Sequence, residues 1–383
     1  MYKKKIAFVV AAPITAHAFL LDHIVCLMRR YEVHLIANFA GQDELKTEFE
    51  TFGIMCHQVG IMRKISFIND LKALFTLYML FRGQKFESVH SVTPKAGLHS
   101  ACAGRLARVP HRVHIFTGQV WCTHKGVKRI MLKMFDKLIV ALDTNLLVDG
   151  VGQRKFLIQE GVLSKKNSMV LANGSIAGIK LDRYIISDEV RSIERERFGF
   201  VDDNVVFIFL GRLNHDKGIG EIYEAFNRLV VECPKARLLF YGMDEDGYDQ
   251  KVEAYPNIRK GENYFFPGLT RTPYMALQCG DVFVIPTKRE GFGVSVLEAQ
   301  ALGLPVITSN CYGVVDASVE GQTGLRCGVS DVDGLYNCMR LYYDNEDLRK
   351  QHGLAGRKRV EELFDNVVVS QAWLNFYEEI LGE

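Results

Sequence analysis

Short runs of apolar, often β-branched residues alternate along the whole chain with longer amphipathic segments. Near-continuous apolar strands separated by helices are typical of parallel sheets that are covered on both faces. The pattern therefore predicts an α/β protein. The predicted strands are Ile6–Ala11, Val33–Asn38, Ile54–Val59, Ser88–Ser91, Val113–Phe116, Leu146–Asp149, Val205–Leu210, Arg237–Tyr241, Tyr264–Phe266, Val282–Ile285 and Val306–Thr308.

The strand and helix pattern runs through twice, and 383 residues are enough for two domains. Helices are predicted over Ala16–Arg30 and Ala96–Arg108 in the first half, and over Gly220–Val231 and Val294–Leu302 in the second. We therefore predict two doubly wound, Rossmann-like domains that face a cleft. A stretch of small residues before position 179 places the domains at 1–178 and 179–364. The remaining residues, 365–383, are expected to form a helix that packs back on the first domain.

Charge divides the chain more sharply than its total of +2 suggests. Residues 1–180 hold 25 Lys+Arg and 12 Asp+Glu, whereas residues 181–383 hold 22 and 33. The basic half is compatible with nucleic acid, anionic lipid or a phosphate-bearing substrate, or with no such partner. The nine cysteines form no Cys-x-x-Cys pair, which favours reduced thiols in the cytosol. No apolar run reaches eighteen residues, so no bilayer span is predicted.

The clearest motif follows the strand that ends at Pro286. A glycine-bearing loop opens a helix, which stops at Gly303 before Pro305. Such a loop offers free backbone N–H groups to an anion, and carboxylates on it suit hydrogen bonding to sugar hydroxyls. The loop and the carboxylate in the helix are Glu290, Gly291, Phe292, Gly293 and Glu298.

A second motif, Gly211-Arg212 with Lys217-Gly218, directly follows the first strand of the second domain. Gly211 allows a close approach of the backbone to a ligand. Arg212 and Lys217 place two positive charges at the mouth of the sheet, where together they can neutralise a diphosphate.

These two motifs resemble those of the GT-B glycosyltransferases, in particular the retaining family 4, and the resemblance covers essentially the whole chain. It implies that Arg212 and Lys217 hold the donor diphosphate and stabilise it as it leaves. It implies that Glu290, with the backbone of Gly291–Gly293, holds the donor sugar, and that Glu298 holds the ribose hydroxyls. Catalytic roles are thus expected for Arg212, Lys217 and Glu290, with retention of configuration and without a metal or cofactor.

Two segments of the first half, residues 90–97 and 113–121, are similar to those of family 4 enzymes of bacterial surface-polysaccharide and lipid-linked oligosaccharide assembly. This implies a glycan or polyprenyl-diphosphate-linked acceptor, no nucleic acid, and a cytoplasmic protein on the inner face of the plasma membrane. The donor is expected to be a UDP-linked hexose or N-acetylhexosamine. Candidate acceptor-binding residues, each following a predicted strand, are His17, His90, Lys95, Thr117 and Gln119.

The chain departs from the family pattern at two places. Thr117-Gly118 stands where many members have His-Gly, so no role of that histidine carries over. Ala11-Ala12 stands where many have Gly-Gly, so this loop must make different contacts to a phosphate.

A basic amphipathic helix is predicted over Lys125–Ala141. Its apolar side chains (Val127, Ile130, Met131, Met134, Phe135 and Leu138) lie opposite its cations. Such a helix either packs on a core or lies on a membrane surface. We favour contact with an anionic membrane, to which the apolar segment Leu74–Phe81 and its flanking cations, Arg63 and Lys64 among them, would add. The cations of the helix are Lys125, Lys128, Arg129, Lys133 and Lys137.

Other patterns carry less weight. His111 and His114 have a metal-like spacing, but they lie on a strand without a third ligand nearby, so no metal site is predicted. The Asp-x-Asp pairs at 244–246 and 331–333 are interpreted as surface turns. Two alternative functions stay open, a nucleotide-sugar 2-epimerase and a non-catalytic nucleotide-sugar-binding module. Incubation with donor alone, then with a lipid-linked acceptor, distinguishes them.

Overall fold

The computed structural model describes residues 3–62 and 66–382, and it divides the chain into two compact units. Unit 1 consists of Met1–Gly178 together with Asn366–Glu383, and unit 2 consists of Ile179–Asp365. Each unit contains a parallel six-stranded sheet, and helices connect successive strands except β11 and β12 of unit 2, which turns connect. The predicted α/β class with two Rossmann-like domains is confirmed.

The sheet of unit 1 has the order β3-β2-β1-β4-β5-β6. Its strands are β1 (Lys5–Val9), β2 (Glu32–Ala37), β3 (Met55–Gln58), β4 (Ser88–Val92), β5 (His111–Phe116) and β6 (Asn145–Val148). Its helices are α1 (Pro13–Phe19), α2 (Leu21–Leu27), α3 (Asp43–Thr51), α4 (Phe67–Gln84), α5 (Pro94–Ala107), α6 (Gly126–Leu142) and α7 (Val151–Gln159), with a 3-10 turn at Val120–Thr123.

The sheet of unit 2 has the order β12-β11-β10-β7-β8-β9. Its strands are β7 (Val205–Leu210), β8 (Ala236–Tyr241), β9 (Tyr264–Gly268), β10 (Val282–Ile285), β11 (Val306–Ser309) and β12 (Gly324–Cys327). Its helices are α8 (Asp188–Glu196), α9 (Ile219–Glu232), α10 (Tyr248–Lys251), α11 (Pro273–Ala276), α12 (Val294–Ala301), α13 (Val332–Asp344) and α14 (Glu346–Leu363). Short 3-10 turns occur at His215–Lys217, Val252–Ala254 and Leu277–Cys279.

The last helix, α15 (Asn366–Leu381), returns to unit 1. Trp373 of this helix is fully buried and stacks on the rings of His23 and His90, at centroid distances of 5.2 and 4.9 Å. His23 also pairs through Nδ1 with the Ser370 hydroxyl at 2.9 Å. Aromatic stacking thus fixes the helix on the sheet that the N-terminal part of the chain builds.

Three sequence-based expectations need correction. The predicted helix Ala16–Arg30 is two helices, α1 and α2, which are separated at Leu20. Strand β12 was not predicted, because Gly324–Cys327 has no apolar run and is half-exposed along its middle. The pair at 331–333 is not a free turn, because the Asp331 carboxylate caps α13 by accepting the Gly334 N–H at 2.8 Å.

Candidate functional site

The site in unit 2 lies where the strand order reverses, between the neighbouring strands β7 and β10. Chain segments that leave adjacent strands on either side of this switch point create a crevice at the carboxyl ends of the strands. The segment after β7 contains Gly211, Arg212 and Lys217, and the segment after β10 contains Glu290 and the glycines that lead into α12. Both predicted motifs therefore meet at the point where an open α/β sheet binds its ligand.

Hydrogen bonds join these two segments closely. The Asp216 carbonyl accepts the Lys288 N–H at 2.7 Å and the Thr287 hydroxyl at 2.9 Å. The Asp216 carboxylate accepts from Nε and Nη2 of Arg289, at 2.9 and 2.7 Å. A side chain at Gly218 would place its Cβ 2.4 Å from the Pro286 carbonyl oxygen. The close approach of the two segments thus depends on glycine at position 218.

Lys217 and Glu290 form an ion pair, with both side chains largely buried. This contact joins the two motifs across 73 residues of sequence. The ammonium group and the carboxylate that the resemblance assigns to diphosphate and sugar are therefore adjacent.

The segment Gly291–Gly293 is buried, and Gly293 (φ 95°) immediately precedes α12. The first turn of α12 presents backbone N–H groups that have no partner within the helix, which favours an anion in front of it. The Phe292 ring itself packs on Phe364 at 5.4 Å, so its side chain belongs to the core. Only the backbone of Phe292 is placed to contact a ligand.

Glu298 lies in α12 and accepts a hydrogen bond of 2.5 Å from the Tyr184 hydroxyl. Burial raises the pKa of Glu298 to about 7, and the bond from Tyr184 acts in the opposite direction. Tyr184 was not predicted as a site residue, because it lies 114 residues before its partner and belongs to no motif.

Arg212 is half-exposed, and its Nη1 lies 2.9 Å from each carboxylate oxygen of Glu245. Glu245 belongs to the Asp-x-Asp segment at 244–246, which follows the end of β8 closely. The segment lies on the surface as predicted, with Glu245 and Asp246 exposed, and the structure also places it beside Arg212. A parallel bridge between Leu213 and Asp244 brings the segment against the loop that carries Arg212.

In unit 1, three of the predicted acceptor residues are partly accessible. His17 pairs with Glu48 at 3.0 Å, and Lys95 pairs with Asp70 at 2.7 Å. Thr117 is half-buried directly after the end of β5. These three side chains stay candidates for acceptor binding.

The structure corrects the predictions for His90 and Gln119, which are 0% and 2% exposed. His90 Nδ1 pairs with the Tyr377 hydroxyl of α15 at 3.0 Å, and α15 covers the imidazole. Gln119 accepts the amide of the buried Gln153 at 3.0 Å. His90 lies within β4 and Gln119 lies three residues after β5, so a place near the carboxyl end of a strand is not enough to expose either side chain.

Helix α6 has its apolar side on the surface. Five of its apolar residues are at least 41% exposed, and Phe135 is 36% exposed; the six are Val127, Ile130, Met131, Met134, Phe135 and Leu138. Helix α4 carries a similar stripe, in which Phe67 and Phe75 are 77% and 64% exposed. The alternative that the apolar side of α6 packs on a core is therefore wrong.

Two of the five cations on α6 face inward, which corrects their assignment to a membrane contact. Arg129 and Lys133 both pair with Glu160, at 2.8 and 2.7 Å, and both lie over the Trp121 ring. Lys125, Lys128 and Lys137 are exposed. Arg63 and Lys64, which were expected to add to the same surface, lie outside the described residues.

Within residues 3–62 and 66–382, no group of three or more His, Cys, Asp or Glu side chains is arranged to hold a metal ion. In the same part of the chain, none of the helices has the length and apolar character needed to cross a bilayer.

The arrangement in unit 2 combines two cations, a helix N-terminus and two carboxylates at one switch point. It can hold a diphosphate and polar sugar hydroxyls together, as a nucleotide-sugar site requires.

The class of protein follows from the two Rossmann-like units and from a structural comparison. The whole chain is similar to the Anabaena protein HepE, whose structure was solved in complex with UDP-glucose. That structure has a TM-score of 0.82 and 17% identity over 98% of this chain and 99% of its own, which shows the GT-B fold.

Sequence comparison gives the family. The profile described as "Glycosyl transferases group 1" matches residues 190–359. A capsular polysaccharide biosynthesis glycosyltransferase, CapM of Staphylococcus aureus, is 30% identical over 355 residues, which is 93% of this chain and 92% of the relative. The chain therefore belongs to the group 1 glycosyl transferases.

A further relative has a more specific name. The UDP-Gal:alpha-D-GlcNAc-diphosphoundecaprenol alpha-1,3-galactosyltransferase of Escherichia coli is 25% identical over 324 residues, 83% of this chain and 82% of that one.

Proposed function

We propose that this glycosyltransferase moves a hexose or N-acetylhexosamine from a UDP-sugar onto a polyprenyl-diphosphate-linked or polysaccharide acceptor in bacterial glycan assembly. The reaction retains the anomeric configuration and needs no metal. The observation that carries the proposal is the ion pair between Lys217 and Glu290, which unites the two motif loops at the switch point. The names of the Staphylococcus and Escherichia relatives support the pathway, and the Escherichia relative supports the UDP-sugar and lipid-linked acceptor.

In this mechanism, Arg212 and Lys217 stabilise the negative charge that develops on the leaving diphosphate as the anomeric C–O bond breaks. The N-terminus of α12 adds a partial positive charge on the same group. The acceptor hydroxyl attacks the anomeric carbon from the face of departure and gives its proton to a phosphate oxygen. Glu290 and the backbone of Gly291–Gly293 orient the sugar, and Glu298 binds the ribose hydroxyls.

The acceptor is proposed to bind to unit 1, with Thr117, Lys95 and His17 as candidate contacts. The apolar surfaces of α4 and α6 support a peripheral association with an anionic membrane on its cytoplasmic face. An exposed apolar helix face with cations beside it is what an interfacial helix presents to lipid headgroups and acyl chains. No nucleic-acid partner is proposed.

A donor screen tests the proposal. The purified protein is incubated with a panel of nucleotide-sugars, first alone and then with a short-chain polyprenyl-diphosphate sugar, and all products are identified by mass spectrometry. Release of UDP that depends on the acceptor, together with a product heavier by one sugar, is the expected result. Isomerisation of the donor without an acceptor would instead establish the epimerase, and binding without any turnover would establish a non-catalytic module.

The stereochemistry and the metal requirement need separate arms of the same assay. Nuclear magnetic resonance of the product should give the same anomeric configuration as the donor sugar. Turnover should survive excess EDTA, because side chains and a helix N-terminus neutralise the diphosphate. Loss of activity in EDTA that Mg²⁺ or Mn²⁺ restores would contradict the metal-independent mechanism.

A further inference from the structure

Glu245 occupies the position opposite Arg212 without belonging to any motif that predicts a donor contact. Its two carboxylate oxygens each lie 2.9 Å from Arg212 Nη1, and Asn214 Nδ2 donates to Oε2 at 2.7 Å. Both donors come from the loop that follows β7. The carboxylate is therefore held by side chains of the loop that is proposed to bind the diphosphate.

The backbone fixes this arrangement as well. The Leu213 N–H donates to the Met243 carbonyl at 2.8 Å, and the Glu245 N–H donates to the Leu213 carbonyl at 3.1 Å. The Asp246 carboxylate accepts the His215 N–H at 2.9 Å. These bonds set the register of the two segments, so that Glu245 is placed opposite Arg212 by the fold and not by a chance side-chain rotamer.

Close backbone packing supports the same register. A side chain at Gly242 (φ 148°) would place its Cβ 1.7 Å from the Gly211 carbonyl oxygen. Only glycine allows the segment after β8 to approach the segment after β7 this closely. Glycine at 242 therefore brings the acidic segment to the site.

We propose that Glu245 is a resident counter-ion of the diphosphate site, which pairs with Arg212 and competes for it with the nucleoside diphosphate. The inference rests on the proposed function, because it takes Arg212 as a diphosphate ligand. Glu245 acts through Arg212 and is a positioning residue. Lys217 is paired with Glu290 in the same way, so each of the two cations of the site has a carboxylate partner.

The competition between Glu245 and the diphosphate for Arg212 affects the release of the product. A free guanidinium and ammonium at the mouth of the sheet would bind the diphosphate product tightly and slow its release, and product release limits the turnover of many enzymes. A carboxylate that competes for Arg212 lowers the affinity for UDP and helps it to leave.

The test measures the affinity for UDP by calorimetry in the full-length protein. Glu245→Gln should bind UDP about fivefold more tightly, the size of one partly exposed charge pair. Its affinity for uridine, which has no phosphate, should stay unchanged. Glu262→Gln is the matched control, because Glu262 is an exposed carboxylate of the same unit that pairs with Arg259, and it should leave both affinities unchanged.

A double-mutant cycle separates action through Arg212 from simple repulsion of the phosphate. In the Arg212→Gln background, Glu245→Gln should change the affinity for UDP by less than about twofold. An undiminished effect in that background would overturn the inference, as would weaker or unchanged binding of UDP in Glu245→Gln alone. Thermal melting of each variant checks that the fold is intact.

The cycle also separates this inference from the proposed function. If Arg212→Gln weakens UDP binding and Glu245→Gln has no effect, only the role of Glu245 fails. If Arg212→Gln leaves UDP binding unchanged, Arg212 does not contact the diphosphate, and both the proposed site and the role of Glu245 fail.

Discussion

At the scale of single residues, the proposed donor site consists of charges that are paired with one another. Lys217 with Glu290 and Arg212 with Glu245 place two cations at the switch point of unit 2 while keeping each one satisfied. Paired charges cost less to hold in a half-buried site than isolated ones. The two cations can therefore lie at one switch point without strain from like charges.

Replacing Lys217 with Ala should lower kcat by about 10²–10³-fold, because one donor to a developing negative charge contributes ~2.7–4 kcal/mol. The substitution also leaves Glu290 unpaired next to the phosphates, which adds to the loss of turnover. Steady-state turnover with donor and acceptor measures the effect. Lys235→Ala is the control, because Lys235 is an exposed lysine of the same unit that pairs with Asp203, and it should turn over like the wild type. Wild-type turnover in Lys217→Ala would remove the diphosphate assignment.

The raised pKa of Glu298 predicts a dependence on pH. Below about pH 7 the carboxyl is protonated, and above it the carboxylate can accept hydrogen bonds from both ribose hydroxyls. UDP affinity should therefore increase as the pH rises through about 7. Isothermal calorimetry between pH 6 and 8 measures it, with Glu298→Gln as the reference because UDP itself titrates in part of this range.

Two further measurements test the same assignment. In Tyr184→Phe the midpoint should move to a higher pH, because the hydrogen bond from Tyr184 lowers the pKa of Glu298. The effect on folding has the opposite sign to the effect on binding. A raised pKa in the folded state gives stability that is present at low pH and is lost as the pH rises through about 7. Equal pH slopes of UDP affinity in wild type and Glu298→Gln would contradict the role of Glu298.

At the scale of elements, the sugar-binding loop is supported by a segment that no sequence motif identified. A Cβ at Gly313 would lie 1.8 Å from the Glu290 carbonyl oxygen and 2.9 Å from that of Gly291. The segment after β11 therefore sets the position of the loop that leads into α12. The loop is held from behind by backbone packing, and from the front by the ion pair of Glu290 with Lys217.

Gly313→Ala should displace the loop over Glu290–Gly293, lowering transfer and destabilising the fold by about 1–3 kcal/mol through overpacking. Thermal melting and turnover measure the two effects. Gly220→Ala is the matched control, because nothing lies within 4 Å of its added Cβ and it lies in α9. That variant should gain about 0.5–1 kcal/mol from helix propensity. Equal melting temperatures in the two variants would show that the loop has room to move.

Helix α6 has different roles on its two sides. On its inner side, Asp136 accepts the Trp121 Nε1–H at 2.7 Å, and Arg129 and Lys133 lie over the indole ring. Trp121 belongs to the turn after β5 that also carries Thr117 and Gln119, so α6 holds a candidate acceptor loop. On its outer side the apolar residues stay exposed, and the outer side is therefore the one available to a membrane.

At the scale of the whole molecule, most strands could be predicted from the sequence because buried parallel strands are continuous apolar runs. Strand β12 could not be, since Gly324–Cys327 lies at the sheet edge and lacks that pattern. The two motif segments could also be identified from the sequence, because the residues of each lie close together along the chain. The structure brings Lys217 next to Glu290. The donor-binding roles of Arg212, Lys217, Glu290 and Glu298 stay predictions.

The residues that the sequence misjudged depend on distant parts of the chain. His90 was taken as a ligand-facing residue, but Tyr377 and Trp373, from a helix more than 280 residues away, cover it. The segment 244–246 was interpreted only as a surface turn, and the pairing of β7 with β8 brings Glu245 of this segment to Arg212. Local patterns indicate which loops reach the site, whereas tertiary packing decides which side chains on them are accessible.

The division of charge changes when charges are counted for each structural unit and not for each half of the sequence. Because residues 366–383 add three glutamates to unit 1, that unit holds 24 Lys+Arg and 15 Asp+Glu, whereas unit 2 holds 23 and 30. Net charges of +9 and −7 still favour unit 1 as the part that approaches an anionic surface. The exposed apolar sides of α4 and α6 belong to the same unit, so charge and apolar surface point to one membrane-facing part.

The membrane proposal predicts that two kinds of change on α6 act differently. Reversal of Lys125, Lys128 and Lys137 to Glu should weaken binding to anionic vesicles at least about 100-fold at low salt, at ~1 kcal/mol for each lysine. Serine at Val127, Ile130 and Met134 should instead remove the binding that persists at high salt, because apolar insertion is not screened. The control reverses three exposed lysines of unit 2, Lys235, Lys350 and Lys358, and should bind vesicles like the wild type. Arg129 and Lys133 are left unchanged, since their pairing with Glu160 would make a loss of fold indistinguishable from a loss of binding.

Co-sedimentation with vesicles measures the binding. Turnover on a lipid-linked acceptor should fall together with vesicle binding, while turnover on a water-soluble analogue is kept. If the wild type fails to co-sediment with anionic vesicles at low salt, the exposed sides of α4 and α6 have another purpose and the acceptor is soluble.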